Sequence, residues 1–290
     1  MDRTPRDRTR HVSSTQITAL LDLLHDDSDT VRAAVAARFR ELGHAGLTAL
    51  EEARDSADAH LRARARILLH EIRIEELCER LSGVLSDGDC DLETASVLLA
   101  RIENPEVDGS TIIGELDRLG DLVADELASC QGPRQRAEVL GRVLAEREGF
   151  NGNADDYYEP KNSFINHVLQ QRLGIPISLS AIYMMVGRRA GLSLRGVGMP
   201  CHFLVQFETD GETFFIDPFG GGRILTRESC KAMLAGFRHS WREEYLQPVE
   251  DRQMVRRMMA NLIHIYHKRE DSQRLDRLYG FVNDIQGGQS

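Results

Sequence analysis

His202-Phe203-Leu204-Val205-Gln206-Phe207-Glu208-Thr209-Asp210-Gly211-Glu212-Thr213-Phe214-Phe215-Ile216-Asp217 is the stretch on which the fold turns. Apolar and polar residues alternate on both sides of Asp210-Gly211, a dipeptide that signals a two-residue hairpin turn. Strands are expected over 202–208 and 213–217, with a preceding strand over 194–199. In that register Thr209 faces Glu212 and Leu204 faces Asp217. His202 lies two residues beyond Leu204 on the same face. His202 and Asp217 are therefore diagonal neighbours with Cβ atoms about 7 Å apart or less, a gap that a side-chain hydrogen bond spans. Cys201, one residue earlier, is expected on the opposite face.

An aspartate that holds a histidine in one tautomer is the base-and-orienter half of a nucleophilic triad. The missing nucleophile belongs at a helix N-terminus, where the dipole and free N–H groups favour an anion. The helix expected to begin near Ile177 carries Leu179, Ile182, Tyr183 and Val186 at helical spacing and ends in Arg188-Arg189 before Gly191. It offers Ser178 and Ser180, and no cysteine. Ser178 reads either as the nucleophile or as a helix-capping hydroxyl. Cys201 is the other nucleophile to consider.

The segment before this helix, Gly149 to Pro160, is rich in turn formers and reads as an ordered loop. Tyr158, with Tyr157, and Asn162 are placed to line a cleft and contact substrate. Asn162-Ser163 are expected to cap a helix through Phe164, Ile165, Val168 and Leu169 that Gly174 stops. Residues 76–148 read as helices interrupted at Asn104-Pro105 and Gln131-Gly132-Pro133, and they carry no evident chemistry. The core is expected over 149–235, with Gly220-Gly221-Gly222 as a turn closing the sheet. After Arg223 the text returns to helix, and 236–290 forms a closing helical region with a stripe of Met254, Val255, Met258 and Leu262. His264 and His267 read as a solvated helix face, with no third ligand for a metal.

At the front, residues 15–75 repeat themselves. Ser28-Asp29-Thr30-Val31-Arg32-Ala33 returns thirty positions on as Asp58-Ala59-His60-Leu61-Arg62-Ala63, an acidic turn leading into an arginine-bearing helix start each time. This resembles short HEAT-like repeats, an α-solenoid pattern.

Composition limits the function. The 290 residues carry 46 acidic and 36 basic side chains, a formal charge of −10. With pI near 5.5, the chain lacks the basic footprint of a nucleic-acid binder. No apolar run approaches the roughly 20 residues that span a bilayer. The opening, 1–14, is charged without an apolar core and reads as a tail, neither signal peptide nor anchor. The five cysteines form no CxxC pair, consistent with free thiols in a reducing, cytoplasmic setting.

Four ordered blocks carry a family resemblance: Gly149-Phe150 to Tyr158-Glu159-Pro160-Lys161-Asn162-Ser163, Arg172-Leu173-Gly174-Ile175-Pro176-Ile177-Ser178-Leu179, Gly196-Val197-Gly198-Met199-Pro200-Cys201-His202-Phe203-Leu204-Val205, and Ile216-Asp217-Pro218-Phe219-Gly220-Gly221-Gly222. Together they resemble the transglutaminase-like core of the bacterial SirB-type family, and the flanking helices are similar to that family's repeat-like parts. The resemblance implies an α+β, papain-like core, a helix packed on an antiparallel sheet, with a Cys at the helix start and His and Asp on adjacent strands. His202 and Asp217 match the His and Asp positions. The sequence departs at the helix start, which holds no Cys, and at Cys201, where the resemblance implies Gly. The expected protein is a transglutaminase-like, non-catalytic or atypical module that binds a protein or peptide partner, without cofactor, metal, nucleic acid or membrane. The alternative is an active hydrolase or acyltransferase that uses Ser178 or Cys201 with His202 and Asp217.

Overall fold

The computed structural model describes residues 14–88, 90–209 and 211–287. The expected tail lies outside these residues except for Ser14, as does Asp210 of the hairpin turn. The chain divides into two compact units after Glu76.

The first unit holds α1 (Ser14–Leu23), α2 (Asp29–Glu41), α3 (His44–Ala53) and the beginning of α4 (Ala59–Ser86). Leu20, Val35, Phe39, Leu50, Leu68 and Ile72 bury a core of their own. The two sequence copies repeat a contact as well as a pattern. Arg32 Nη1 donates to Asp27 O at 2.7 Å, and Arg62 Nη1 to Ser56 O at 2.6 Å. Each arginine thus ties its helix to a carbonyl of the turn that precedes it. Asp58 also accepts from the N–H groups of His60 and Leu61, satisfying donors a helix start leaves open.

The second unit takes Leu77, Leu81 and Leu85 from the end of α4 into its core. Next come α5 (Leu92–Glu103), capped by Asp91, α6 (Gly109–Leu127), capped by Asp108, and α7 (Pro133–Gly141), which starts on its proline. α7 runs on into a π-helical stretch, Arg142–Arg147. β1 (Asn151–Gly152) pairs in parallel with β2 (Leu173–Gly174). Between them, Pro160–Ser163 forms a 3-10 turn and α8 spans Ile165–Gln171. Two expectations change here. Asn162-Ser163 do not cap α8, because Pro160 starts its own turn and Phe164 takes the cap position. Gly174 does not stop α8 either; Arg172 does so earlier, in a left-handed conformation at φ 60°.

α9 (Pro176–Arg189) is buried along every residue from Pro176 to Gly187. It packs on a sheet made of β3 (Leu194–Val197), β4 (Leu204–Thr209), β5 (Glu212–Asp217), β6 (Arg223–Leu225) and β7 (Pro248–Val249). The strand order is β6-β5-β4-β3-β7, antiparallel throughout. Thr209 pairs with Glu212 and Val205 with Ile216. Val205, Phe207 and Ile216 face α9 in the large core. Leu204, Phe215 and Leu225 face the other way, onto Cys230 and Leu234 of α10 (Arg227–Gly236). α11 (Asp251–Lys268) and α12 (Ser272–Gly287) follow. The architecture is α+β, mostly helical around a small antiparallel sheet.

The sheet departs from the expected boundaries in two places. Residues after Arg223 first form the short edge strand β6 before turning helical. β4 starts at Leu204, so His202 stands in the turn ahead of the strand. Among the described residues no helix is long and apolar enough to cross a membrane.

Candidate functional site around His202 and Asp217

Asp217 ends β5 and is 1% exposed, and its carboxylate has four donors. Oδ1 takes His202 Nε2 at 2.8 Å and the Gly220 N–H at 3.0 Å. Oδ2 takes Arg223 Nε and Nη2 at 3.1 and 3.0 Å. The glycines of the following turn are what allow this wrapping: a Cβ on Gly220 would stand 2.3 Å from Oδ2, and Gly221 and Gly222 have φ of 76° and 72°. Burial pushes the Asp217 carboxyl up, but His202, the Gly220 N–H and Arg223 together outweigh it and hold it below its ordinary value. A carboxylate on Nε2 fixes the proton there in neutral imidazole, which leaves Nδ1 as the basic nitrogen. Nδ1 carries no hydrogen bond among the described residues.

His202 arrives in a tight turn, Met199-Pro200-Cys201-His202, closed by His202 N–H to Met199 O at 3.2 Å. Pro200 suits the second position, and Cys201 takes the third with φ 59°. That conformation favours glycine, so a side chain is held there against its backbone preference. Strand alternation does not reach Cys201, and the expected opposite-face placement does not apply. Its exposed thiol instead lies 3.6 Å from His239 Nε2. Arg257 of α11 clamps the turn, donating to Met199 O at 2.6 Å and His202 O at 2.9 Å.

Ser178 is buried at the third position of α9, behind Pro176, and not at its cap. Its Oγ accepts the Ile175 N–H at 3.1 Å and lies 2.6 Å from Asn162 O and 3.1 Å from Ile175 O. This is the return half of a capping box; Ile175 has no side-chain acceptor to make the other half. None of these bonds goes to His202. Ser178→Ala is expected to lower the unfolding free energy by about 0.5–1.5 kcal/mol, because it removes the buried hydroxyl's bonds to Asn162 O and the Ile175 N–H, while that N–H keeps Asn162 O at 3.4 Å. Urea denaturation at neutral pH measures it.

Asn162, 1% exposed, holds the loop before it: Nδ2 donates to Asp156 O at 2.6 Å, and Oδ1 accepts from Asn153 at 3.0 Å. Tyr158 is half exposed, with the Lys268 ammonium 4.0 Å from its ring centre. A run of rings joins it to His202. Tyr158 meets Tyr157 at 5.3 Å, Tyr157 meets Phe219 at 6.1 Å, and Phe219 meets His202 at 6.1 Å. Phe237, also exposed, reaches His202 from the other side at 6.4 Å. Sequence reasoning passed over Arg223, Phe237, His239 and Arg257. Only Arg223, six residues beyond Asp217 across a glycine turn, had a local signal. Among the described residues no group of three or more His, Cys, Asp or Glu side chains is placed to hold a metal ion.

Residues 110–260 match the family model described as the transglutaminase-like superfamily. The chain belongs to that superfamily. Among its relatives, the UPF0162 protein of Xylella fastidiosa is 33% identical over 190 residues, covering 63% of this chain and 68% of that protein. The UPF0162 protein of Vibrio cholerae is 30% identical over 185 residues, 61% of this chain and 68% of its own length. F-box only protein 21 of Mus musculus is 33% identical over 158 residues, 52% of this chain but only 24% of that protein. No solved structure matches. The transglutaminase-like match takes in α9, the whole sheet, His202, Asp217 and Arg257. It leaves the first unit outside.

Proposed function

We propose that this transglutaminase-like protein, of the SirB-type branch, is a non-catalytic module that binds a protein or peptide partner across its His202–Asp217 site. The observation that carries the reading is the state of the helix start. Residues 174–178 hold no thiol, and the one hydroxyl there, Ser178, is tied up in bonds to the Ile175 N–H and Asn162 O. His202 and Asp217 then serve recognition: Nδ1 accepts a partner's N–H or O–H, and the aromatic rings of Tyr158, Tyr157 and Phe237 supply apolar contact. Asn162 shapes the loop that presents the tyrosines. Occurrence of a similar block within the much longer F-box only protein 21 supports a self-contained module.

In this reading residues 149–235 form the recognition core, 76–148 and 236–290 its helical supports, and 15–75 a HEAT-like repeat offering a second binding face. The protein works in the cytoplasm, where its five cysteines stay as thiols, and it uses no cofactor. Peptides selected on the full-length protein from a display library provide the ligand for the test. Tyr158→Ala, Phe237→Ala and His202→Gln are each expected to weaken the selected peptide about tenfold or more by fluorescence anisotropy. Unchanged binding in all three overturns the reading. So does fluorophosphonate labelling of Ser178, or iodoacetamide labelling of Cys201, that disappears in His202→Gln. Those results establish the alternative, a hydrolase or acyltransferase with His202 as base and Asp217 as orienter.

A further inference from the structure

The structure assigns a second chemical group beside this site. We propose that Cys201 and His239 form a thiol–imidazole pair that exchanges with low-molecular-weight disulfides, making Cys201 a site of reversible mixed-disulfide formation. The pair does not depend on the role given to His202.

Cys201 and His239 come from distant parts of the chain, a turn before β4 and the segment after α10, and meet at 3.6 Å between Sγ and Nε2. Both are exposed, so a small disulfide reaches the sulfur without opening the fold. The turn that presents the thiol is fixed by Arg257, which bonds to Met199 O and His202 O on either side of it. An imidazole within hydrogen-bond reach of a thiol can take its proton as the sulfur attacks. The other cysteines are less exposed. Burial pushes the Cys230 thiol up to about 11 and also raises Cys90, and Cys78 and Cys130 are partly covered.

The step balances without further reagents. The Cys201 S–H proton passes to His239 Nε2, and the thiolate attacks one sulfur of the disulfide. The S–S bond of the small molecule breaks as the new bond to Cys201 Sγ forms, and the departing thiolate recovers the proton from His239. Cys201 is oxidised to a mixed disulfide, and half of the small disulfide is reduced to a thiol. A second thiol reverses it.

The test is a time course of the native full-length protein with oxidised glutathione, followed by peptide mass mapping. Cys201 is expected to take up glutathione at least about tenfold faster than Cys78, Cys90 or Cys130, with Cys230 last. Dithiothreitol removes the adduct. His239→Gln, which keeps the bulk of the side chain but takes no proton, is expected to slow Cys201 about tenfold or more and leave the other sites unchanged. Cys230 reports on folding in the variant, since it stays protected while the sheet is intact. The wild-type ranking needs no variant at all. Uptake at Cys201 no faster than at Cys130, or a rate indifferent to His239→Gln with Cys230 still protected, overturns the assignment. Loss that accompanies His202→Gln and spares His239→Gln overturns it too, and points to the other site.

Discussion

Asp217→Ala is expected to lower the unfolding free energy at neutral pH by about 2–4 kcal/mol, because it leaves the buried His202 ring N–H without an acceptor and removes the charge-assisted bonds from Gly220 and Arg223. The carboxylate is 1% exposed and collects four donors from three residues, so its loss removes the acceptor of each. His202, 6% exposed, is left with a ring N–H that has no acceptor, whereas Gly220 is exposed and its N–H can turn to water. Arg223 suffers less, because its side chain is 59% exposed and water replaces the lost contact. Asp217→Asn keeps one acceptor oxygen and is expected to cost less, about 1–3 kcal/mol. Urea denaturation of both variants measures the difference.

The same residue gives the protein an acid-sensitive component of stability. The folded-state pKa of Asp217 lies below its ordinary value of 3.8, so the folded state binds its proton more weakly than the unfolded chain does. The stabilisation is therefore full above the unfolded value and is lost as pH falls through the folded one. In Asp217→Ala the stability profile below about pH 4 is expected to flatten relative to wild type. A variant whose profile keeps the wild-type slope there shows that other carboxylates dominate. Glu115, held at about 2 by Arg118 and Arg172 although burial opposes them, is the group to examine in that event.

Gly141→Ala is the second large effect. A Cβ on Gly141 would lie 2.2 Å from Gly222 O and 3.0 Å from Gly222 C, both backbone atoms that cannot swing aside. The end of α7 and the turn after Asp217 approach main chain to main chain, and Gly222, at φ 72°, is equally short of space. Alanine gains about 1 kcal/mol of helix propensity over glycine, and forced overpacking costs about 3 kcal/mol or more, so the clash wins. Displacing the turn also loosens the Gly220 N–H from Asp217. Gly114→Ala in α6 is the control: nothing lies within 4 Å of the added carbon, and the same substitution is expected to raise stability by about 0.5–1 kcal/mol. Opposite signs in thermal unfolding of the two variants check the argument.

The parts of the fold set by short-range pattern were legible in the sequence. Hairpin register comes from parity around one turn, and the Thr209–Glu212 pairing needs nothing else. α7 begins on Pro133 and α6 starts after Asp108 for reasons local to each. What could not be read depends on residues far apart. β6 and β7, three and two residues long, are too short to show alternation and exist because β5 and β3 offer them an edge. Ser178 looked like a cap because serine caps helices, but Pro176 at the first helical position moved the cap back to Ile175. The strand pattern seemed to include His202 because His202-Phe203-Leu204 continues the alternation, whereas Pro200 and Arg257 together bend that segment into a turn. His239 reaches Cys201 only through the placement of α10, which no motif announces.

The burial of α9 has a consequence for how the second unit forms. From Pro176 to Gly187 the helix has no solvent face, with the sheet on one side and the α6 helix among its neighbours on others. A helix with an amphipathic face can dock on half a structure and wait. This one cannot, because either half-assembled arrangement leaves an apolar flank in water. Its docking therefore couples layers that would otherwise fold separately, and makes the unit gain or lose them as one cooperative step.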